Sequence, residues 1–216
     1  MKTNNQKNKK VSKTVVVVGN NYVGKTSILT QFTKSRFNEE YRSTIGVDFQ
    51  SKEIKINEQQ IYLNLWDVNG EERDNTILDS KIYSSAHCFV VVVSYDDIST
   101  AHSLLDWLSF LRAKYQSPNL DKNIRDIPIY IVINKEDIKE KKFNRAQIER
   151  IIKDEYSFVN ICELNAMNNQ SVTILFKTMS AKMTGQTIDE AGLDITSESI
   201  VQITPVHFKC LCLKCQ

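Results

Sequence analysis

Three prolines and six glycines are few for 216 residues, where average usage would give roughly 11 and 15. That scarcity excludes a collagen-like chain and a Pro/Gly-rich low-complexity chain. It also makes position informative, because Gly19, Gly24, Gly46 and Gly70 all fall inside polar motifs. A dominant charge is missing too. Twenty-eight basic and 26 acidic side chains leave a net +2, so no nucleic-acid partner is expected. No apolar run is long enough to span a bilayer, and no apolar signal-peptide core stands at the N-terminus. A cytosolic protein with reduced thiols is therefore expected. Of five cysteines, Cys88 and Cys162 sit in apolar, strand-like runs and read as inert core, while Cys210, Cys212 and Cys215 crowd the last seven residues. Residues 1–13, rich in Lys and Asn, read as a disordered arm, and no internal repeat is visible.

The chain turns on residues 19–26, Gly-Asn-Asn-Tyr-Val-Gly-Lys-Thr. The β-branched run Thr14–Val18 before it reads as a buried strand, and Ser27–Phe32 after it as a helix. This is the G-x-x-x-x-G-K-[ST] spacing in its strand–loop–helix setting. Glycines let successive N–H groups point at one anion, the helix N-terminus adds partial positive charge, Lys25 reaches β- and γ-phosphates, and the Thr26 hydroxyl suits Mg²⁺. The plain alternative for this motif alone is a βα turn that binds nothing.

Farther on, a strand is expected from Ile45 to about Ile56, a turn at 57–60, and a second strand over Ile61–Asp67. Its alternation sets Ile61, Leu63 and Leu65 against Tyr62, Asn64 and Trp66, and the pair should run antiparallel. A short helix is expected over 73–83, then a buried strand at Cys88–Val93 and a helix capped by Ser99, with Leu104, Leu105, Leu108 and Leu111 facing the core and Trp107 packing. The next elements are a strand at Ile129–Ile133, a helix from Asn144 to Tyr156 with Gln147 completing a capping box, a strand at Val159–Leu164, and a helix from Asn169 to Met183 that stops near Gly185. Strands alternating with helices predict an α/β, three-layer αβα fold: six strands, mostly parallel, with one antiparallel edge strand. Each polar motif follows a strand, so one site at the carboxyl ends of the strands is the economical reading.

Gly19–Thr26, Thr44-Ile45-Gly46-Val47-Asp48-Phe49, Trp66-Asp67-x-x-Gly70 and Asn134-Lys135-x-Asp137 occur in order. Together they resemble the Ras-type small GTPases, and Ile45–Phe49 with Leu63-x-Leu65-Trp66-Asp67 resemble the Rab branch. Tyr83-Ser84-Ser85-Ala86-His87 does so more loosely. The likeness spans roughly residues 14–183, implying a P-loop NTPase domain over 14–184 followed by a flexible tail, 185–216. It implies that the loop Asn21, Tyr22, Val23, Gly24, Lys25, Thr26 and Ser27 holds phosphates, with Thr44 and the Gly70 N–H sensing the γ-phosphate. Thr26 and Thr44 would ligate Mg²⁺, and Asp67 would hold it through water. Asp137 would accept from guanine, Asn134 brace its loop, Lys135 and Phe37 flank the base, and the Ala166 N–H, beside Met167, reach O6. Lys25, Thr44 and Glu71 stand at the family's catalytic positions.

Several residues depart from the family pattern. Tyr22 replaces a small residue, and Asn21 fills the preceding site, where side-chain size affects hydrolysis. Asn69 replaces the usual alanine, and Glu71 the glutamine that orients water. Asn165 and Met167 replace serine and lysine in the base loop. The segment between Gly70 and Ala86 is one residue longer than the resemblance predicts. The resemblance therefore implies a Rab-like Mg-GTP/GDP switch in vesicle traffic with slow hydrolysis. Its rivals are a GTP-holding module without useful turnover and a P-loop kinase, the latter opposed by Asn134–Asp137. It also implies a monomer served by an exchange factor, an activating protein and effectors. Effectors would read a patch of Ile45, Phe49, Trp66 and Tyr83, although Phe49 and Trp66 read equally well as core. The terminal Cys210, Cys212 and Cys215 are not a C-a-a-X box. Prenylation there, holding the protein on the cytosolic face of an intracellular membrane, is favoured over metal binding or chance.

Overall fold

The valines of the first strand alternate between two cores, and that alternation sets the layering. In the computed structural model, which describes residues 11–38, 44–71, 80–115, 124–153, 155–156, 158–187 and 204–205, β1 spans Val11–Val18. Val16 and Val18 pack with Trp107, Leu108, Leu111 and Ile148 on one face. Val15 and Val17 pack with Ile28, Leu29, Phe32, Leu175 and Met179 on the other. A strand buried on both faces reads as a continuous apolar run because helices cover both sides. Each fully buried Val or Leu contributes about 1.5–3 kcal/mol.

The elements that follow are α1 (Lys25–Lys34), β2 (Val47–Ile56), β3 (Gln59–Val68), α2 (Ser80–Ser84), β4 (Cys88–Ser94), α3 (Ile98–His102), α4 (Leu104–Tyr115), β5 (Ile129–Asn134), α5 (Arg145–Ile152), β6 (Asn160–Glu163), α6 (Asn169–Thr184) and β7 (Thr204–Pro205). The sheet order is β2-β3-β1-β4-β5-β6-β7. β3, β1, β4, β5 and β6 are parallel, and β2 is antiparallel to β3. The expected six-stranded, mostly parallel sheet with an antiparallel edge is present. The two-residue β7 adds a second antiparallel edge beside β6.

Asn57, with φ 50, turns β2 into β3, as the left-handed region demands at a two-residue hairpin loop. Ile61, Leu63 and Leu65 are buried, and Tyr62, Asn64 and Trp66 are half-buried, as their alternation requires. Asn144 and Gln147 form the expected capping box, and Gly185 ends α6 in the left-handed conformation. Cys88 and Cys162 are buried, and burial pushes both thiols far above the usual range.

Several boundaries differ from the sequence expectation. Val11–Lys13, expected in the arm, pair with β3, and β2 starts at Val47 rather than Ile45. Asp97, not Ser99, caps α3, its carboxylate accepting the Ser99 N–H at 2.8 Å. Ser103 separates α3 from α4, and Leu105, about 100° around α4 from Leu104, falls on the outer side, 40% exposed. The helix begun at Asn144 ends at Ile152, short of Tyr156. Most of the helix expected over 73–83 lies outside the described residues; α2 begins at Ser80.

Candidate functional site

At the carboxyl ends of β1, β3, β5 and β6, the connecting loops surround a cleft of about 760 Å³, within the range of small-ligand sites. Its floor is the loop between β1 and α1. Gly24 has φ 94, and a Cβ there would meet the Asn134 Nδ2 at 2.3 Å. No side chain caps α1 at Gly24, so the first-turn N–H groups face the cleft as anion donors. The Lys25 ammonium, 7% exposed, donates to the Gly19 and Asn20 carbonyls at 2.8 Å each. Burial lowers its pKa from 10.5 to about 8, against the pull of the Asp67 carboxylate. A buried cation whose hydrogen bonds among the described residues go to carbonyls is suited to a phosphate. Asn20 is fixed from below, accepting the Trp107 Nε1–H at 2.7 Å and donating to Ser103 Oγ at 3.1 Å. Trp107 thus packs, as expected, and also supports the loop.

Beside Lys25 lies an oxygen cluster. Thr26 Oγ1 donates to Asp67 Oδ2 at 2.5 Å and lies 3.0 Å from Thr44 Oγ1. Asp67 is fully buried, and its Oδ1 has no hydrogen-bond partner among the described residues. Burial raises its pKa, while the Thr26 hydrogen bond and the Lys25 charge oppose the rise. Two hydroxyls and a carboxylate with a spare buried oxygen form a hard-oxygen donor set that fits Mg²⁺. Gly70 presses against the phosphate loop, where a Cβ would lie 2.4 Å from the Asn21 N and 2.6 Å from the Asn20 C. Glu71, next in the chain, accepts a hydrogen bond from Asn21 Nδ2 at 3.0 Å.

The other end of the cleft is built by the loops after β5 and β6. Asn134, 2% exposed, donates to the Val23 carbonyl at 2.8 Å and accepts the Ala166 N–H at 3.0 Å. Its carboxamide therefore joins three loops. It also takes the Ala166 N–H that the resemblance assigns to a base oxygen. Lys135, at φ 61, pairs with Asp96 at 2.6 Å. Burial alone would push the Asp96 carboxyl up, but its bonds from Lys135 and Ser94 hold it below the usual range. Asp137 is exposed to the cleft that it lines with Phe37, Ala166 and Met167. Met167 is 48% exposed, and its carbonyl accepts from Gln31 Nε2.

The sequence-derived residues Asn21, Tyr22, Gly24, Lys25, Thr26, Ser27, Phe37, Thr44, Asn134, Lys135, Asp137, Ala166 and Met167 line this one cleft. Val23 is buried beneath it, 1% exposed. Asp96, Lys34 and Arg36 were not anticipated. Asp96 sits two residues past the Ser94 end of β4, at the same sheet edge as the motifs, and that placement is the signal that could have found it. Lys34 and Arg36 line the cleft but belong to no motif.

Outside the cleft, Ile45 is 93% exposed, and Phe49, 47% exposed, lies against half-buried Trp66 with ring centroids 4.8 Å apart. Tyr83, expected in the same patch, is fully buried, edge-on to Phe110 at 5.4 Å. The patch is Ile45, Phe49 and Trp66 without it, because α2 turns the ring inward against α4. Cys210, Cys212 and Cys215 lie outside the described residues. Among those residues no helix is long and apolar enough to cross a membrane.

The family model described as "Ras family" matches residues 14–185. The chain is 27% identical over 192 residues to Ras-related protein Rab-7b of Paramecium octaurelia, covering 88% of this chain and 90% of that protein. It is 31% identical over 196 residues to human Ras-related protein Rab-12, covering 88% and 75%. Over 134 residues it is 31% identical to the Ypt/Rab-type GTPase Rab7 of Gibberella zeae, covering 62% and 63%.

Proposed function

The chain belongs to the Ras family, and we propose that it works as a Rab-like guanine-nucleotide switch in membrane traffic, hydrolysing GTP to GDP and phosphate. The observation that carries this reading is the single cleft with an anion-binding loop at one end and an Asn134–Asp137 base loop at the other. Between them stand two hydroxyls and a buried carboxylate, one of whose oxygens has no partner among the described residues.

The loop N–H groups and Lys25 hold the β- and γ-phosphates and offset charge as water attacks in line. Thr26, Thr44 and Asp67 are the residues to hold Mg²⁺, which when bound neutralises phosphate charge. Thr44 and the Gly70 N–H sense the γ-phosphate and order the segments on either side, which relax after hydrolysis. Asp137 accepts from the guanine edge, and adenine offers no matching pair of donors there.

Intrinsic turnover is slow. A carboxylate at position 71 accepts only, cannot donate to a phosphate oxygen as an amide does, and adds repulsion next to a polyanion. A rate at or below ~10⁻⁴ s⁻¹ is expected. An activating partner restores speed by supplying its own glutamine and an arginine, the latter worth roughly 10³–10⁵ in rate. Ile45, Phe49 and Trp66 give effectors an apolar surface next to Thr44. The protein acts as a monomer, attached to the cytosolic face of an intracellular membrane by lipid on two of Cys210, Cys212 and Cys215, since one chain anchors only marginally.

Single-turnover cleavage of GTP with saturating Mg²⁺ tests the reaction. Slow release of phosphate, abolished by chelation, is the expected result. Retention of intact GTP over days would reduce the protein to a nucleotide-holding module.

A further inference from the structure

Three residues that depart from the family pattern form one hydrogen-bonded unit. Asn21 Nδ2 donates to Glu71 Oε1 at 3.0 Å. The Glu71 N–H donates to Asn69 Oδ1 at 3.3 Å, an Asx-type turn that an alanine at 69 could not make. The Asn69 N–H donates to the Gly46 carbonyl at 3.0 Å, two residues beyond Thr44. Between Asn69 and Glu71, Gly70 lies close against the phosphate loop, with Asn21 N 2.4 Å from where a Cβ would be.

From this geometry we propose that Asn21 is a positioning residue for hydrolysis. Its amide holds the side chain at position 71 against the phosphate loop and so decides what that side chain can do for attacking water. The inference rests on the GTPase reading above and deepens it. The chemistry favours the pair. A carboxylate is acceptor-only, the Asn21 amide has two N–H donors, and a donor–carboxylate bond is stronger than a neutral one. A smaller residue at 21 would not reach. A glutamine placed at 71 keeps an acceptor oxygen, so it too would be held by Asn21 rather than turned to the phosphate. Asn69 sets the backbone direction from which residue 71 projects, and the Gly46 contact ties that direction to the segment bearing Thr44.

Two measurements test the proposal. In single-turnover GTP hydrolysis, the gain from Glu71→Gln is compared in the wild-type and Asn21→Ala backgrounds. The gain is expected to be larger in the Asn21→Ala background by about threefold or more, as for residues in direct contact. Equal gains in both backgrounds would overturn it. In amide hydrogen exchange of the GDP-bound proteins, Glu71→Ala is expected to speed exchange at Gly70 and Glu71. Glu71→Gln, which keeps the acceptor, should preserve protection. Protection unchanged in Glu71→Ala would overturn the proposal even if the Asn21 variant fails to fold. Chromatographic nucleotide content of the same samples reports guanine-nucleotide binding separately, so loss of the GTPase reading is distinguishable from loss of the latch.

Discussion

The Thr26 hydroxyl donates to Asp67 Oδ2 at 2.5 Å, while the buried Asp67 Oδ1 has no partner among the described residues. Leaving a carboxylate oxygen unpaired inside a protein costs free energy unless something else meets it. Thr44 Oγ1 is 3.0 Å from Thr26 Oγ1, so three residues from three segments converge on one small volume of oxygen. Thr26→Asn removes a hydroxyl and adds bulk there. Mg²⁺ affinity in the presence of GTP should fall roughly 10–100-fold, a range typical for groups supporting a metal site, with GDP favoured over GTP. Nucleotide affinity titrated against Mg²⁺ checks this; a wild-type titration in the variant contradicts the assignment.

Lys25 gives the nucleotide-free protein a pH signature. Its pKa falls from 10.5 to about 8, chiefly through burial. Between those values the unfolded chain binds more protons than the folded one, so stability rises with pH across that window. Phosphate binding favours the charged form and raises the pKa. Affinity for GDP should therefore be flat below about pH 8 and weaken above it. Fluorescent-nucleotide titration from about pH 7 to about pH 9.5 reads this, and affinity that climbs with pH contradicts it.

Base choice rests on Asp137. An amide there supplies a donor where guanine also presents one, so Asp137→Asn should weaken GTP binding by roughly 10–100-fold. Xanthine presents an acceptor at that position, so xanthosine triphosphate should bind the variant better than GTP. Competition between the two nucleotides decides it, and an unchanged order contradicts the role.

Tyr22 holds φ 65 and is 67% exposed at the edge of the cleft. A bulky residue in the left-handed region costs about 1–3 kcal/mol, and glycine removes that strain at an entropic cost of about 0.5–1 kcal/mol. Tyr22→Gly should stabilise the nucleotide-free fold by about 1 kcal/mol and speed nucleotide release by uncovering the loop. Urea denaturation and stopped-flow release measure the two effects; destabilisation would contradict the strain argument.

Much of this site was legible because its chemistry is encoded locally. Gly24, Lys25 and Thr26 announce an anion site by spacing alone, and the valines of β1 announce a sheet covered on both faces. What stayed hidden depended on tertiary direction. Tyr83 looked like a surface ring because its helix was read without the α4 face carrying Phe110. Leu105 looked like core because it adjoins Leu104, yet one residue turns α4 by about 100°, off the face that Leu104, Leu108 and Leu111 bury. Asn134 could be named as a brace, yet nothing in its neighbours shows that it takes the Ala166 N–H. Asn21, Asn69 and Glu71 looked like separate departures, because the bond that joins Asn21 to Glu71 spans 50 residues of sequence.

The account depends most on guanine selectivity in a Mg²⁺-supported cleft. Purified full-length protein, stripped of nucleotide, should be titrated with a fluorescent GTP analogue in Mg²⁺ and then challenged with unlabelled GTP, GDP or ATP. Displacement by GTP and GDP at least about 10⁴-fold more effective than by ATP is the predicted result, as for a site that hydrogen-bonds the base edge. Equal displacement by ATP, or no binding of any of the three, would contradict the account.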